Sequence, residues 1–529
     1  MQRVSSDADF AISPDGEKIY NVSKSRLVGL INWFHVLGTY LPWVWFIVVG
    51  VLISQLGVQL YALRFDLVAF LRNEVSEFTM GRPLALDLGW KTMALTALGI
   101  WWLNNREKPV FLIDFTTFEP PESWKLSPDQ LLEIMRNQGT YTEESIAFQK
   151  RILERSGCGP ATAWPPSIVR CLDPSKQQDV TVDSARKESE AVMFDIVGRA
   201  LQKTKTSPKD VDILIVNCSL FSPTPSLCSM IVNKFNLRSD ICSYNLSGMG
   251  CSAGVISIEL ARNLLSSKPN SVALVVSTEN LTQNLYRGNE RSFLVQNTLF
   301  RCGGAAIVLS NKWIDGMRAN LKLLTLVRTQ YIDESKDPNK PKLDSFRAVY
   351  ETTDDQEQRG VQLSKDITKV AGRAMEKNLT TLGPHVLPLS EQAKTVLSMV
   401  HCFLAKKLTA YGITMKKPTP YIPDFKRGID HFCIHAGGRS VIDTVELNLK
   451  LTKAHAAPSR HALYKYGNTS SSSIWYEMDY IRKEMELSRG QRVLQVAFGS
   501  GFKCNSCVWL CINNTAPPIT DAQEKDKVE

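Results

Sequence analysis

Runs of like charge are missing from this chain of 529 residues: its 62 Lys and Arg and 53 Asp and Glu are scattered, and the net charge of +9 is small for the length. That argues against a basic track following a nucleic-acid backbone, so no nucleic acid is expected as a partner. A weakly basic surface suits anionic ligands such as coenzyme A thioesters or lipid headgroups, but charge alone selects none of them. The twelve cysteines, Cys158 to Cys511, lack the dense spacing of a small secreted scaffold, so reduced thiols and no disulfide framework are expected in a body facing the cytosol. The opening residues MQRVSSDADF lack the apolar core of a cleavable secretory signal. Long disorder is not expected between the ends, since 44% of residues are apolar and 22% charged.

What is present first is a membrane address. From Val36 to Gly57 the chain carries no charge, and a helix of that length at about 1.5 Å per residue crosses a hydrocarbon core roughly 30 Å thick. Trp33, Trp43, Trp45, Tyr40 and Tyr61 mark its rims, and Pro42 is placed to kink its first turns. A second apolar stretch, Leu88 to Leu103, holds Lys91 near its start, which can snorkel to the interface. It reads as a second crossing, flanked by Trp90, Trp101 and Trp102. The expected division is a cytosolic segment over 1–35, an anchor over 36–108 with two transmembrane helices (36–57 and about 88–103), a body over 109–512, and a disordered tail over 513–529. Lys18, Lys24 and Arg26 before the anchor and Arg106 and Lys108 after it, against Arg64, Arg72 and Arg82 between, put both ends on the cytosolic side.

In the body, residues 127–156 read as helical and show no chemistry. From Arg186 the pattern becomes α/β: RKESEAVMFDIVGRALQKT is amphipathic, and VDILIVNCS is a continuous apolar run of the kind found in doubly covered strands. CSAGVISIELARNLLSS, SVALVVSTE and GGAAIVLSN continue it as helix, strand and strand. Downstream, IDHFCIHAGG, a helix beginning near Ser471, RVLQVAFGSG and CNSCVWLCI repeat the order, so two similar halves (about 109–320 and 321–512) are expected to pack into alternating layers.

NLSGMGCSAGVISIELARNLL places Cys251 at a helix start among Gly248, Gly250 and Gly254, where unpaired N–H groups and the helix dipole lower a thiol pKa. The turn leaves open whether Cys251 is a nucleophile or one more buried cysteine. In HFCIHAGG, His431 and His435 are four apart on one strand face, and either a functional role, a core role or metal binding with Cys504 and Cys507 is open, although a zinc site wants a second well-spaced pair. Asn468, in a loop before a helix, also reads as a capping or turn residue.

Taken in order, VNCSLFSPTPSLCSMIVNKFNLRS, NLSGMGCSAG, LVVSTENLTQN, FRCGGAAIVLSN, TTLGPHVLP, HFCIHAGGR, GNTSSSSIWYE and AFGSGFKCNS resemble the plant 3-ketoacyl-CoA synthases, from about Pro109 to Trp509. The resemblance implies a thiolase fold, duplicated αβαβα units in five layers behind N-terminal transmembrane helices. It also implies decarboxylative condensation of malonyl-CoA with a long-chain or very-long-chain acyl-CoA. Cys251 then matches the acyl-accepting nucleophile, His435 the catalytic histidine with His431 as a possible accessory, and Asn468 its asparagine partner. The backbone N–H groups of Cys251 and Ser500, in a loop shaped by Gly499 and Gly501, would form an oxyanion hole. An acidic residue near the reacting carbon is not expected, because it would repel both malonyl carboxylate and enolate. No metal and no cofactor are implied; malonyl-CoA and acyl-CoA are substrates.

The resemblance also implies an endoplasmic reticulum membrane protein with a cytosolic catalytic domain, contact with membrane lipid, a homodimer, and association with the ketoacyl reductase, dehydratase and enoyl reductase of elongation. Gln330 and Tyr464 stand where the family has histidines, and Tyr331 to Asp344 is longer than the family loop. A membrane-associated type III polyketide synthase-like enzyme and a non-catalytic elongase scaffold are the alternatives.

Overall fold

The computed structural model describes residues 10–12, 18–20, 33–62, 64, 66, 68, 69, 72, 90–105, 108–333, 343–410, 419 and 421–514. Arg82, most of the long segment between Tyr331 and Asp344, and the tail from 515 lie outside the described residues. The chain forms two compact units, residues 26–109 with 265–270, and the remainder.

In the smaller unit, helix α1 (Trp33–Ala62) contains the expected span and extends it, and α2 (Trp90–Asn105) covers the second stretch from Trp90 on, Leu88 and Gly89 lying outside the described residues. Trp45 Nε1 donates to the Ala97 carbonyl at 3.0 Å, so the two helices pair. Within α1, Trp43–Ala62 has a mean hydropathy of 1.9 and is long and apolar enough to cross a membrane. It is the one such helix among the described residues. The 16 residues of α2 reach about 24 Å, short of a core roughly 30 Å thick.

The larger unit includes a short hairpin, Phe10–Ile12 with Lys18–Tyr20, and after the smaller unit continues with strand β1 (Phe111–Thr117). The stretch read as helical over 127–156 divides into α3 (Pro128–Gln138) and α4 (Glu143–Leu153). Ser127 and Gln130 form a capping box at the start of α3, and Gly139, at φ 67°, ends it in the left-handed conformation that glycine adopts at no steric cost. Thr142 then caps α4 by accepting from the Ser145 N–H.

Next come α5 (Val182–Lys203), β2 (Ile213–Asn217), β3 (Cys242–Leu246), α6 (Ala253–Ser267), β4 (Val272–Thr278) and β5 (Gly304–Ser310). The downstream part holds β6 (Leu321–Gln330), α7 (Ile367–Val386), α8 (Leu389–Ala410), β7 (His431–Ile434), α9 (Lys453–Tyr466), α10 (Ser473–Glu484), β8 (Arg492–Gly499) and β9 (Lys503–Cys511). Every residue of β2, β4 and β5 is buried, as their unbroken apolar runs require.

The duplication is written in the strand pairing. In the first half β1 pairs antiparallel with β5, β5 antiparallel with β4, and β4 parallel with β2. In the second, β6 pairs antiparallel with β9, β9 antiparallel with β8, and β8 parallel with β7. The halves differ in β3, which extends the first sheet beyond β2. They join where Leu321 and Lys322 of β6 pair with Leu112 and Phe111 of β1, giving a nine-stranded sheet.

Each half has its own apolar core, one including Val192, Ile196, Leu214 and Val308, the other Val370, Met375, Phe432 and Val508. Between them, α10 packs against β1 and β5 of the first half as well as β8 of its own. At the start of α6, a Cβ on Gly254 would fall 2.4 Å from the Ser471 carbonyl oxygen, so the short turns leading into α6 and α10 touch. That contact is where the site lies.

Candidate active site

Cys251 occupies a short 3-10 turn, Gly250–Ser252, that leads into α6. The turn depends on Gly250, at φ 66°, whose absent Cβ would lie 2.5 Å from Ser500 N and 2.8 Å from Ser500 Oγ. From the other side, a Cβ on Gly499 would lie 2.3 Å from Ser252 Oγ. The Gly499–Gly501 loop at the end of β8 is thus pressed against the cysteine turn, and Gly250 N–H is held by the Ser219 hydroxyl at 2.9 Å.

His435 follows the last residue of β7, and its backbone N–H continues the ladder to the Val496 carbonyl at 2.9 Å. The ring is buried and its Nδ1 has no hydrogen-bond partner. Burial lowers its pKa to about 4, so the imidazole is neutral at pH 7 and able to accept a proton.

Asn468 comes from the turn after α9 but is held by the first half: its N–H donates to the Leu299 carbonyl at 2.9 Å and its carbonyl accepts from Arg301 N–H at 3.0 Å. Its side-chain Oδ1 accepts from Ser470 N–H at 2.9 Å, an Asx turn. The turn role and a site role are therefore the same role: engaging Oδ1 fixes the amide so that Nδ2 is left as the donor. The nearest acceptor to Nδ2 is the Gly437 carbonyl at 3.5 Å, a weak contact.

Cys251, His435 and Asn468 line one cavity of about 490 Å³, together with Gly499 and Ser500. Val295, Leu299, Phe300, Val361, Ile367 and Phe502 supply apolar wall, and Arg155, Lys365 and Arg439 add positive charge.

Two further residues at the cavity lie within motifs that carry the resemblance, GNTSSSSIWYE and LVVSTENLTQN, but had no role of their own in the sequence reading. The hydroxyl of Ser470 lies 3.5 Å from Cys251 Sγ and 3.1 Å from Glu279 Oε2. Ser470 holds φ 57°, a left-handed conformation uncommon for a residue with a side chain and frequent where backbone strain serves a site. Glu279 is buried and accepts from Ser219 N–H at 3.1 Å, Leu220 N–H at 2.8 Å and the Cys218 thiol at 3.2 Å. An acidic group therefore does line the cavity, contrary to expectation. Its burial pushes the carboxyl pKa up, which offsets the repulsion an ionised carboxylate would exert. The signal available was its position at the end of an apolar strand, where an acid is out of place.

The expected lowering of the Cys251 pKa is reversed. Burial pushes the thiol up to about 11, the Ser470 hydroxyl lowers it, and the charge of Glu279 raises it further. The resting thiol is protonated at neutral pH and needs a base.

His431 is not brought to the site. It opens β7, four residues or about 13 Å of strand from His435. Its Nε2 meets Gln491 Oε1 at 3.1 Å, and it does not line the cavity. Sharing a strand face with His435 is insufficient, since the faces continue past the site.

Cys504 and Cys507 are buried in β9, the latter donating to Gln495 Oε1 at 3.2 Å. Among the described residues no group of His, Cys, Asp and Glu could hold a metal, and the cysteines form no disulfide. Gln330 Nε2 donates to the Gly501 carbonyl at 3.1 Å, and Tyr464 is exposed on α9.

Comparison with known proteins bears on the family and the fold. Residues 102–408 match the model of the FAE1/Type III polyketide synthase-like proteins, and residues 425–512 that of the chalcone and stilbene synthase C-terminal domain. The chain is 45% identical over 467 residues to 3-ketoacyl-CoA synthase 9 of Arabidopsis thaliana, covering 87% of each. It is 47% identical over 428 residues to 3-ketoacyl-CoA synthase 2 of the same plant, covering 80% of this chain and 76% of that one. Among solved structures, PKS-I of the brown alga Ectocarpus siliculosus superposes with a TM-score of 0.59 at 15% identity, over 77% of this chain and all 100% of that one. The bacterial type III polyketide synthase that makes tetrahydroxynaphthalene in Streptomyces coelicolor gives 0.58 at 17%, over 76% and 99%. At such identities the likeness concerns the fold.

Proposed function

Because the chain belongs to the 3-ketoacyl-CoA synthases, we propose that it condenses malonyl-CoA with a long-chain or very-long-chain acyl-CoA in fatty-acid elongation. The observation that supports this most is the convergence of a half-buried thiol, a neutral imidazole and an oriented carboxamide on one largely apolar cavity. In the first half-reaction the Cys251 thiol gives its proton to neutral His435, and the thiolate attacks the acyl-CoA carbonyl. The N–H groups of Cys251 and Ser500 receive the oxyanion, and CoA leaves as a thiol after taking a proton back.

In the second half-reaction the malonyl carboxylate departs as carbon dioxide, and its bonding electrons pass to the thioester as an enolate. Donors on His435 and Asn468 Nδ2 stabilise that oxygen, which they do best uncharged or weakly charged, since a strong cation there would hold the malonyl carboxylate in its ground state. The enolate carbon attacks the Cys251 thioester and expels Cys251 as a thiolate, which takes up a proton from solvent, and the product leaves as 3-ketoacyl-CoA. Arg155, Lys365 and Arg439 suit the coenzyme A phosphates, and the apolar wall suits the acyl chain. The two thioesters supply every atom of the new bond, so no cofactor enters.

The same reading makes the protein integral to the endoplasmic reticulum membrane and its body cytosolic, with α1 and the shorter α2 crossing as a pair. Support comes from the apolar length of Trp43–Ala62 and the Trp45 to Ala97 bond between the helices. A homodimer working with the reductase and dehydratase steps of elongation belongs to this reading too.

Microsomes expressing the chain, given carboxyl-labelled malonyl-CoA and a panel of acyl-CoAs, are expected to release labelled carbon dioxide in step with 3-ketoacyl-CoA. Cyclised polyketide products would point to a polyketide synthase instead, and free fatty acid without carbon dioxide to a hydrolase.

A further inference from the structure

Helix α8 (Leu389–Ala410) is turned the wrong way for a helix on the surface of a water-soluble body. At about 100° per residue, Val396, Leu397, Met399, Val400, Phe403 and Leu404 fall on one arc of roughly 160°. That arc faces outward: Leu397 is 69% exposed and Phe403 59%. The face toward the body carries Glu391 and Ala405, at 1% and 3%. A helix lying on a protein surface ordinarily buries its apolar stripe and shows its polar one.

The orientation is pinned. Glu391 accepts from the Tyr421 hydroxyl at 2.6 Å, Lys394 Nζ at 3.0 Å, Arg427 Nη1 at 3.1 Å and Asp424 N–H at 3.2 Å. Tyr421 N–H in turn donates to Ser398 Oγ at 2.8 Å on the same inner side. Rolling α8 to hide its apolar arc would take the Glu391 carboxylate away from Tyr421, Arg427 and the Asp424 N–H, whereas Lys394, on α8 itself, would turn with it. Six large apolar side chains therefore remain outside, a patch of the kind that marks a contact surface.

Its charge selects the occupant. Glu391 is the one acidic residue in α8 and it points inward, whereas Lys407 stands in line with the arc, exposed, its Nζ 5.4 Å from the Phe403 ring centroid. An apolar arc continued by a lysine at its C-terminal end, with no outward acid, matches the boundary between acyl chains and anionic headgroups. We propose that α8 docks on a lipid surface, with Val396, Val400 and Phe403 entering the acyl boundary and Lys407 among anionic headgroups. The proposal rests on reading Trp43–Ala62 as a membrane span, which keeps a bilayer at high effective concentration for every copy of the chain.

The test uses the full chain in nanodiscs of phosphatidylcholine and phosphatidylserine, with a diazirine-tailed phosphatidylcholine as probe. After photolysis, label is expected on α1 and, within α8, on Val396, Val400 and Phe403 but not on Glu391 or Ser398. Val400→Glu with Phe403→Glu should lower α8 labelling at least fivefold and leave α1 unchanged, and discs without phosphatidylserine should lower it in the wild type. Acylation of Cys251 by labelled acyl-CoA checks that the variant is folded; if it is not, the residue pattern in the wild type decides alone. Label on α1 without label on α8 overturns the proposal, as does cross-linking of α8 to a second copy. Failure to label either helix overturns the membrane reading beneath it as well.

Discussion

Ser470 places its hydroxyl 3.5 Å from the Cys251 thiol while its own N–H fixes the amide of Asn468 at 2.9 Å. One residue in a left-handed conformation thus contacts the group that would accept the acyl chain and orients the group that would stabilise the enolate. Glu279, 3.1 Å beyond that hydroxyl, completes a chain of polar groups whose effect on the thiol has two signs.

Those signs give a pH prediction. With the thiol pKa at about 11, alkylation of Cys251 by iodoacetamide should keep accelerating with pH well past about 8.5, the ordinary thiol value. Ser470→Ala removes a group that favours thiolate and should move the profile to higher pH. Glu279→Gln removes a charge that opposes thiolate and should move it lower. A plateau near pH 8 in the wild-type labelled peptide, or shifts in the opposite directions, contradicts this account.

Cys251 and Asn468 should fail at different half-reactions. Cys251→Ala is expected to abolish both acyl-enzyme and product. Asn468→Ala should still be acylated by labelled acyl-CoA, with condensation down roughly 100-fold or more, the usual cost of losing an oxyanion donor. Acid quench and mapping of the labelled peptide distinguish them; label elsewhere than Cys251 removes the assignment.

Gly250→Ala should be severe although it adds one carbon. Its Cβ would strike the backbone of Ser500, and φ 66° is strained for alanine, so the turn and the oxyanion loop must separate. A displacement of about 1 Å at such a site costs on the order of 100-fold in kcat. Near-normal turnover by a correctly folded variant would show that this contact is dispensable.

His431→Ala and Gln330→Ala should each keep activity within about tenfold, or about 1.4 kcal/mol. His431 holds Gln491 away from the cavity, and its loss should appear mainly as about 1 kcal/mol of stability in denaturant unfolding. Gln330 makes one exposed hydrogen bond to the Gly501 carbonyl. Loss of turnover without loss of stability in either variant would assign it to the chemistry.

Much of this was legible in the linear order of residues. Unbroken apolar runs marked β2, β4 and β5, because a strand covered on both faces has no polar side to show. Glycine-rich turns singled out Cys251 and His435 as candidates, whereas Asn468 by itself read as a capping or turn residue, and the resemblance to the 3-ketoacyl-CoA synthases supplied the site role of all three.

Four features were decided by tertiary structure alone. His431 shares a strand face with His435, but periodicity says which residues face alike and not where along the face the site falls. Ser470 and Glu279 meet across the two halves, 191 positions apart, a distance no local pattern reports. The helix start favours a Cys251 thiolate, yet burial, a property of every element packed around the sulfur, outweighs it. The apolar arc of α8 was visible as composition, but only the buried ion cluster at Glu391 decides that it faces away from the body.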